Sequence, residues 1–195
     1  MRRPYSQHMG NQGEQKRFVG RGGLKLQAAL EAFKIDARGL LCADLGSNIG
    51  GFVDCLLQNG AAKVYSVDTS YGTLAWKLRK DPRVVVMERT NALHATLPEK
   101  VDLVTVDVGW TPQRLILPNA VKMLKPGGRI VTLIKPQYES REEERVRGVV
   151  KAECLATVLA RVKNELQHIG IVIRDVLESP ILGEGGNKEF LGLTN

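Results

Sequence analysis

The chain has only three cysteines, Cys42, Cys55 and Cys154, an odd number and widely spaced. That pattern offers neither a zinc site nor a disulfide framework, and small buried thiols in a reducing compartment account for all three. Long apolar runs are missing too. Nothing approaches the ~18 residues needed to span a bilayer, and the polar, basic N-terminus has no signal-peptide core. The sequence therefore predicts a cytoplasmic protein with no metal and no membrane partner. Acidic residues are in deficit, 21 Asp+Glu against 28 Lys+Arg, for a net charge of +7. The excess crowds the N-terminus, where Arg2, Arg3, Lys16, Arg17, Arg21 and Lys25 face only Glu14. A basic arm of this kind favours a polyanionic partner, nucleic acid foremost. With 195 residues there is room for one sheet-centred core and none for a second sizeable domain.

Along the chain, Met1 to Gly20 is polar and Gln-rich without apolar periodicity, which predicts a flexible basic arm ahead of a folded domain over 21–195. Strands are expected at Leu40–Leu45, Lys63–Asp68, Arg83–Glu88, Val101–Asp107 and Gly128–Lys135. Helices alternate with them at Gly23–Phe33, Gly51–Asn59, Tyr71–Lys80, Pro112–Leu124 and Glu153–His168. Such alternation builds a doubly wound, mostly parallel α/β sheet. Two last strands, Ile171–Glu178 and Glu189–Leu193, joined through Pro180 and a Gly-rich stretch at Gly183–Gly186, predict an antiparallel hairpin at one edge. Seven strands ending this way make the Rossmann-like sheet of S-adenosylmethionine-dependent methyltransferases, whereas a dinucleotide-binding sheet ends in a sixth parallel strand.

The stretch Ala43-Asp44-Leu45-Gly46-Ser47-Asn48-Ile49-Gly50-Gly51-Phe52 joins the first strand to its helix. Its glycines allow a tight turn, but their spacing, G-x-x-x-G-G, is not the G-x-G-x-x-G that packs a pyrophosphate against a helix N-terminus. The loop suits a cofactor without phosphates, and S-adenosylmethionine is the common one. Its methionine part would lie over the Gly46, Ser47, Asn48, Gly50, Gly51 turn leading into Phe52, with Asp44 near the amino group. Asp68, closing the second strand, is placed to hold the two ribose hydroxyls, and Thr90 with Asn91 to contact adenine. An ordinary tight turn is the plainer reading of the glycines alone.

In an open sheet of this type the ligand crevice lies at the C-terminal ends of the strands. Asp107 ends the fourth strand, beside both cofactor and chemistry, and Lys135 ends the fifth just before Pro136. Lys25 lies on the first helix, clear of the Leu26, Ala29, Leu30 and Phe33 stripe. A solvated lysine or a helix-capping aspartate would serve as well at such places. Trp110 is placed either to stack on a base or to cover the sheet end.

Taken together, Phe18–Leu26, Gly50–Leu57, Tyr71–Arg79, Glu88–Asn91 and Leu133–Glu139 resemble the catalytic domain of the TlyA-type, haemolysin-named proteins among the FtsJ-like ribosomal RNA 2′-O-methyltransferases. The resemblance runs from about Phe18 to Leu193. It implies a Rossmann-like fold, S-adenosylmethionine as donor, and a ribose hydroxyl of ribosomal RNA, free or in a ribosomal subunit, as acceptor. By motif, the family's Lys-Asp-Lys-Glu catalytic set falls on Lys25, Asp107, Lys135 and Glu189. Relatives carry a small RNA-binding domain ahead of this one, where only the arm to Gly20 is expected here. Local departures occur at Gly20, at Asn48-Ile49, at Thr69-Ser70 and over Val108–Pro112.

A 2′-hydroxyl is a very weak acid, so it must be held in line with the methyl and relieved of its proton as the bond forms. A lysine partly desolvated beside another lysine would have a lowered pKa and serve as base. Lys135 is assigned as base, Asp107 as the group orienting it, Lys25 as partner to the substrate oxygen or phosphate, and Glu189 as support for Lys25 or the substrate. The two lysines could exchange roles. Arg17 and Arg21 are assigned to the RNA backbone. Competing readings are a small-molecule methyltransferase, disfavoured by the lack of a cap segment, and a non-catalytic RNA-binding or membrane-lysing protein. A nicotinamide dehydrogenase is disfavoured by the glycine spacing.

Overall fold

In the computed structural model, which describes residues 17–194, the apolar runs become strands and the stretches between them helices. In chain order these are α1 (Gly22–Ala32), β1 (Leu41–Leu45), α2 (Gly51–Gln58), β2 (Lys63–Val67), α3 (Trp76–Arg79), β3 (Val84–Met87), β4 (Val101–Val106), α4 (Gln113–Met123) and β5 (Leu124–Ile134). There follow α5 (Pro136–Glu139), the short strands β6 (Arg145–Val146) and β7 (Val149–Val150), α6 (Leu155–His168), β8 (Ile173–Glu178) and β9 (Phe190–Thr194). Seven strands form one sheet in the order β3-β2-β1-β4-β5-β9-β8, and β6 pairs with β7 apart from it. β1 to β5 are parallel, and β9 lies antiparallel between β5 and β8. The order reverses between β1 and β4, which opens the crevice at their C-terminal ends.

Side chains leave a strand on alternate faces. Cys42, Leu103, Val131 and Leu133 join the apolar cluster under α1 and α2, whereas Ala43, Leu45, Val104 and Ile130 join the one under α4 and α6. Both faces are covered, so β1 and β4 are buried almost throughout, Asp44 and Thr105 included.

The differences from expectation have local causes. The helix expected over Tyr71–Lys80 is confined to α3, because Gly72 stands at φ 76° and Ala75 is extended, its N–H held by the Ile49 carbonyl. Tyr71 to Ala75 is thus a turn against the glycine loop. β5 begins at Leu124 rather than Gly128: α4 ends directly in extended backbone there, and Leu124 pairs with Val101 before the register shifts. The charged run Glu139–Arg147 carries the end of α5 and the β6–β7 turn, with Arg147 and Gly148 at φ 51° and 82°. Phe18 to Gly20, read in the sequence as part of an arm, pack on the fold. Phe18 is buried against α1, where a Cβ on Gly23 would lie 2.3 Å from its Cγ, and Val19 donates its N–H to Asp54 at 2.8 Å. The folded part therefore includes Phe18, Val19 and Gly20, while Met1 to Lys16 lie outside the described residues.

Candidate active site

The lysines and carboxylates singled out in the sequence line one cavity of about 700 Å³ at the C-terminal ends of β1, β2, β4 and β5. That volume suits a small-molecule cofactor. Glu189 reaches it from the start of β9, because an antiparallel strand begins where its parallel neighbours end.

On the cofactor side, Gly46 stands at φ 89°, and a Cβ there would lie 2.5 Å from the Asp107 carbonyl oxygen. Only glycine lets the β1 turn pass so close to the end of β4. Gly50, at φ 98°, turns the chain into α2 from behind the cavity, where a Cβ would meet Leu78 Cδ1 at 2.3 Å. Asp44 is fully buried. Its Oδ1 accepts the Thr105 hydroxyl at 2.6 Å, whereas its Oδ2 has no partner. Burial pushes its carboxyl up to about 7, the charges of Asp107 and Asp68 add to this, and hydrogen bonds from Thr105 and Ser47 oppose it. A buried acceptor left open beside a glycine turn fits a cationic amino group.

Asp68 accepts the Asn48 N–H on Oδ2 and the Ser70 N–H on Oδ1, each at 2.7 Å. It thereby clasps the β1 and β2 turns together, and each oxygen keeps a second lone pair. Thr90 and Asn91 line the far wall. The Thr90 hydroxyl is engaged by the Glu88 carbonyl and Asn91 Oδ1 by the Leu93 N–H, so both are held in place by their own backbone.

At the mouth stand two lysine–carboxylate pairs. Lys25, buried on α1, pairs with Glu189, and Lys135 Nζ lies 2.7 Å from Asp107 Oδ1. Each lysine therefore has a carboxylate of its own: Asp107 stands beside Lys135 as the sequence assigned it, and Glu189 beside Lys25, one of the two places assigned to it. Gly183 lets the Glu189 side chain approach, since a Cβ there would lie 2.2 Å from Oε1. Arg21 and Trp110 also line the cavity, but Arg17 does not: its guanidinium lies over the outer face of Phe18, 5.2 Å from the ring centroid. Trp110 is 86% exposed, which rules out the alternative of a cover for the sheet end. It meets Tyr138 at 5.0 Å between centroids, leaving an open aromatic ledge.

Sequence reasoning missed several residues that hold this site. Thr105 was detectable from its position two residues before Asp107 on the same strand face. Tyr138 and Asp54 stand inside motifs already quoted. Buried Asn187, two residues before Glu189, accepts the Val150 N–H and donates to the Gly148 carbonyl, each at 3.0 Å, and these partners lie 37 and 39 residues away. Among the described residues no group of His, Cys, Asp and Glu could hold a metal, and no helix is long and apolar enough to cross a membrane.

A glycine turn after β1, an acidic residue past β2, and a sheet whose last strand is inserted antiparallel beside the fifth together define a methyltransferase of the Rossmann-like class. Within that class the chain belongs to the FtsJ-like methyltransferase family, whose model matches residues 18–195. It is 44% identical over 188 residues to the putative ribosomal RNA methyltransferase YqxC of Bacillus subtilis, covering 92% of this chain and 66% of that one. It is 42% identical over 182 residues to the 16S/23S rRNA (cytidine-2′-O)-methyltransferase TlyA of Mycobacterium tuberculosis, covering 90% and 68%. A solved putative hemolysin from Streptococcus thermophilus superimposes with a TM-score of 0.89 at 38% identity, over 94% of this chain and 68% of that one. The chain thus spans about two thirds of the length of these relatives.

Proposed function

We propose that this protein transfers a methyl group from S-adenosylmethionine to a ribose 2′-hydroxyl of ribosomal RNA in the cytoplasm. The observation that carries the reading is the Lys135–Asp107 pair at the mouth of the cofactor-sized cavity, with Lys25–Glu189 beside it. Asp68 would hold the cofactor's ribose, Asp44 Oδ2 its amino group, and Thr90 with Asn91 its adenine. Bound there, S-adenosylmethionine supplies an electrophilic methyl on a sulfonium. Lys135 would take the 2′-hydroxyl proton as the new C–O bond forms and the methyl–sulfur bond breaks, and Asp107 would orient Lys135 and stabilise the ammonium that results. Lys25, fixed by Glu189, holds the acceptor oxygen or its neighbouring phosphate. An exchange of roles between Lys25 and Lys135 is the alternative assignment.

The acceptor side supports a large substrate. Among the described residues no segment closes over the cavity, Trp110 stands open beside the lysines for a base to stack on, and Arg21 lines the same rim. The names of the relatives in Bacillus and Mycobacterium point the same way. Mass-spectrometric mapping of ribose methylation in ribosomal RNA, from cells with and without the gene, tests the reading. A 2′-O-methylnucleotide that disappears with the gene is expected; identical maps would contradict it.

A further inference from the structure

The base and its orienting carboxylate stand on different segments, Lys135 just before α5 and Asp107 at the start of the loop into α4, so something must hold those segments in register. The loop's first residue is fixed, since the Asp107 N–H is bonded to the Leu45 carbonyl at 2.9 Å. Its far end is Pro112, the N-cap of α4, whose side chain makes no capping bond. The cap comes from elsewhere. Glu139, 26 residues beyond Gln113, accepts the Gln113 N–H on Oε1 at 2.8 Å. Gln113 itself is buried and locked to β5, accepting the Thr132 hydroxyl at 2.6 Å and donating to the Leu133 carbonyl at 3.1 Å.

Glu139 and Lys135 are also one rigid piece. α5 is a single turn in which the Tyr138 N–H bonds the Lys135 carbonyl and the Ser140 N–H bonds that of Pro136, both at 2.9 Å. Besides the two Gln113 side-chain bonds to β5, three contacts bridge the gap between the two segments: Lys135 to Asp107, Tyr138 to Trp110, and Glu139 to Gln113. The first two face the cavity, where an entering substrate would meet them. The third lies behind the site and is free of it.

From this geometry we infer that Glu139 is a positioning residue that keeps the Asp107–Trp110 loop aligned with Lys135 and Tyr138. The inference rests on the proposed methyl transfer for its kinetic consequence, but not for its structural one. The charged groups facing Glu139 are Arg114 on α4 and Glu165 on α6, which are themselves 3.5 Å apart, while Arg161 on α6 donates to its backbone carbonyl at 3.2 Å. Burial and Glu165 push the Glu139 carboxyl up to about 7, opposed by the Gln113 N–H and Arg114. The bond to Gln113 needs an acceptor and not a charge, so protonation leaves it available and glutamine can replace it.

The test compares Glu139→Ala with Glu139→Gln in a Trp76→Phe background, where Trp110 is the sole tryptophan. Removal of the acceptor should lower kcat for methyl transfer to RNA roughly 10-fold or more, leave S-adenosylhomocysteine affinity within about 2-fold, and speed the local rotation of Trp110 in time-resolved fluorescence anisotropy. Glu139→Gln should restore kcat and slow rotation. The inference is overturned if Glu139→Ala keeps the wild-type kcat, if Trp110 rotates no faster, or if glutamine fails to rescue. Should alanine prevent folding, the glutamine variant decides alone: loss of kcat or a mobile Trp110 would contradict the role. A wild-type protein inactive on every RNA would instead sink the proposed function, while the anisotropy comparison would still decide the role of Glu139.

Discussion

At the scale of single residues, the acidic side chains divide the labour by what surrounds them. Asp68 is held by two backbone N–H groups and aimed at the cavity, so Asp68→Ala should weaken S-adenosylhomocysteine binding by about 1.5–3 kcal/mol, the range for hydrogen bonds to a charged group. Calorimetry showing unchanged affinity would remove the ribose from that carboxylate. Asp44 is different because it is buried, with a carboxyl raised from 3.8 to about 7. The sign follows from linkage: between about pH 4 and 7 the unfolded chain has lost a proton that the folded free protein keeps, so Asp44 makes stability fall as pH rises through that window. The cofactor's ammonium favours the carboxylate. Binding should therefore tighten with pH up to about 7 and release a proton below it. Asp44→Asn should flatten both the stability slope and the pH dependence of binding, as read by urea unfolding and by calorimetry in buffers of different ionisation enthalpy. Unchanged slopes would show that another group titrates.

Among the elements, the short strap from Phe18 to Gly20 joins the α1 wall of the cavity to the rest of the fold. Asp54, buried on α2, takes the Val19 N–H at 2.8 Å, the Gln58 amide at 3.1 Å and Lys77 at 2.9 Å. Asp54→Ala strands the Val19 N–H and should cost about 1–3 kcal/mol in urea unfolding. Lys77→Ala should cost under about 1 kcal/mol, because Lys77 is exposed and its ion pair is weakened by solvent. Equal losses would mean that charge, and not the strap, is what Asp54 serves. The same elements show what the sequence could reveal. The parallel strands and α1, α2, α4 and α6 were legible because apolar period, glycine spacing and strand-ending carboxylates are local signals. The strap is not legible in the sequence, since one buried Phe18 carries no period. α3 was drawn too long, because neither the left-handed Gly72 nor the Ala75–Ile49 bond is visible in an apolar pattern. Lys25, Asp107, Lys135 and Glu189 are legible from the family motif, and so is the pairing of Asp107 with Lys135; that Glu189 meets Lys25 depends on how β9 is inserted, which is a property of the sheet.

For the whole molecule the governing quantities are an open cavity and a net charge of +7, concentrated toward the N-terminus. If the basic residues before Arg17 neutralise phosphates, removing Met1 to Lys16 should weaken RNA binding and flatten its salt dependence by roughly 0.7–0.9 per lost contact, with cofactor affinity unchanged. Equal salt slopes for the two forms would show that the segment does not touch RNA. The most direct test of the central claim is transfer of labelled methyl from S-adenosylmethionine to ribosomal subunits and free ribosomal RNA, by the wild-type protein and by Lys135→Ala, followed by digestion to nucleosides. The label is expected on a ribose 2′-oxygen with the wild type, and Lys135→Ala should lose ~10²–10⁴ in rate while binding the cofactor normally. Label on a base, no transfer to any RNA, or full activity of Lys135→Ala would contradict the account.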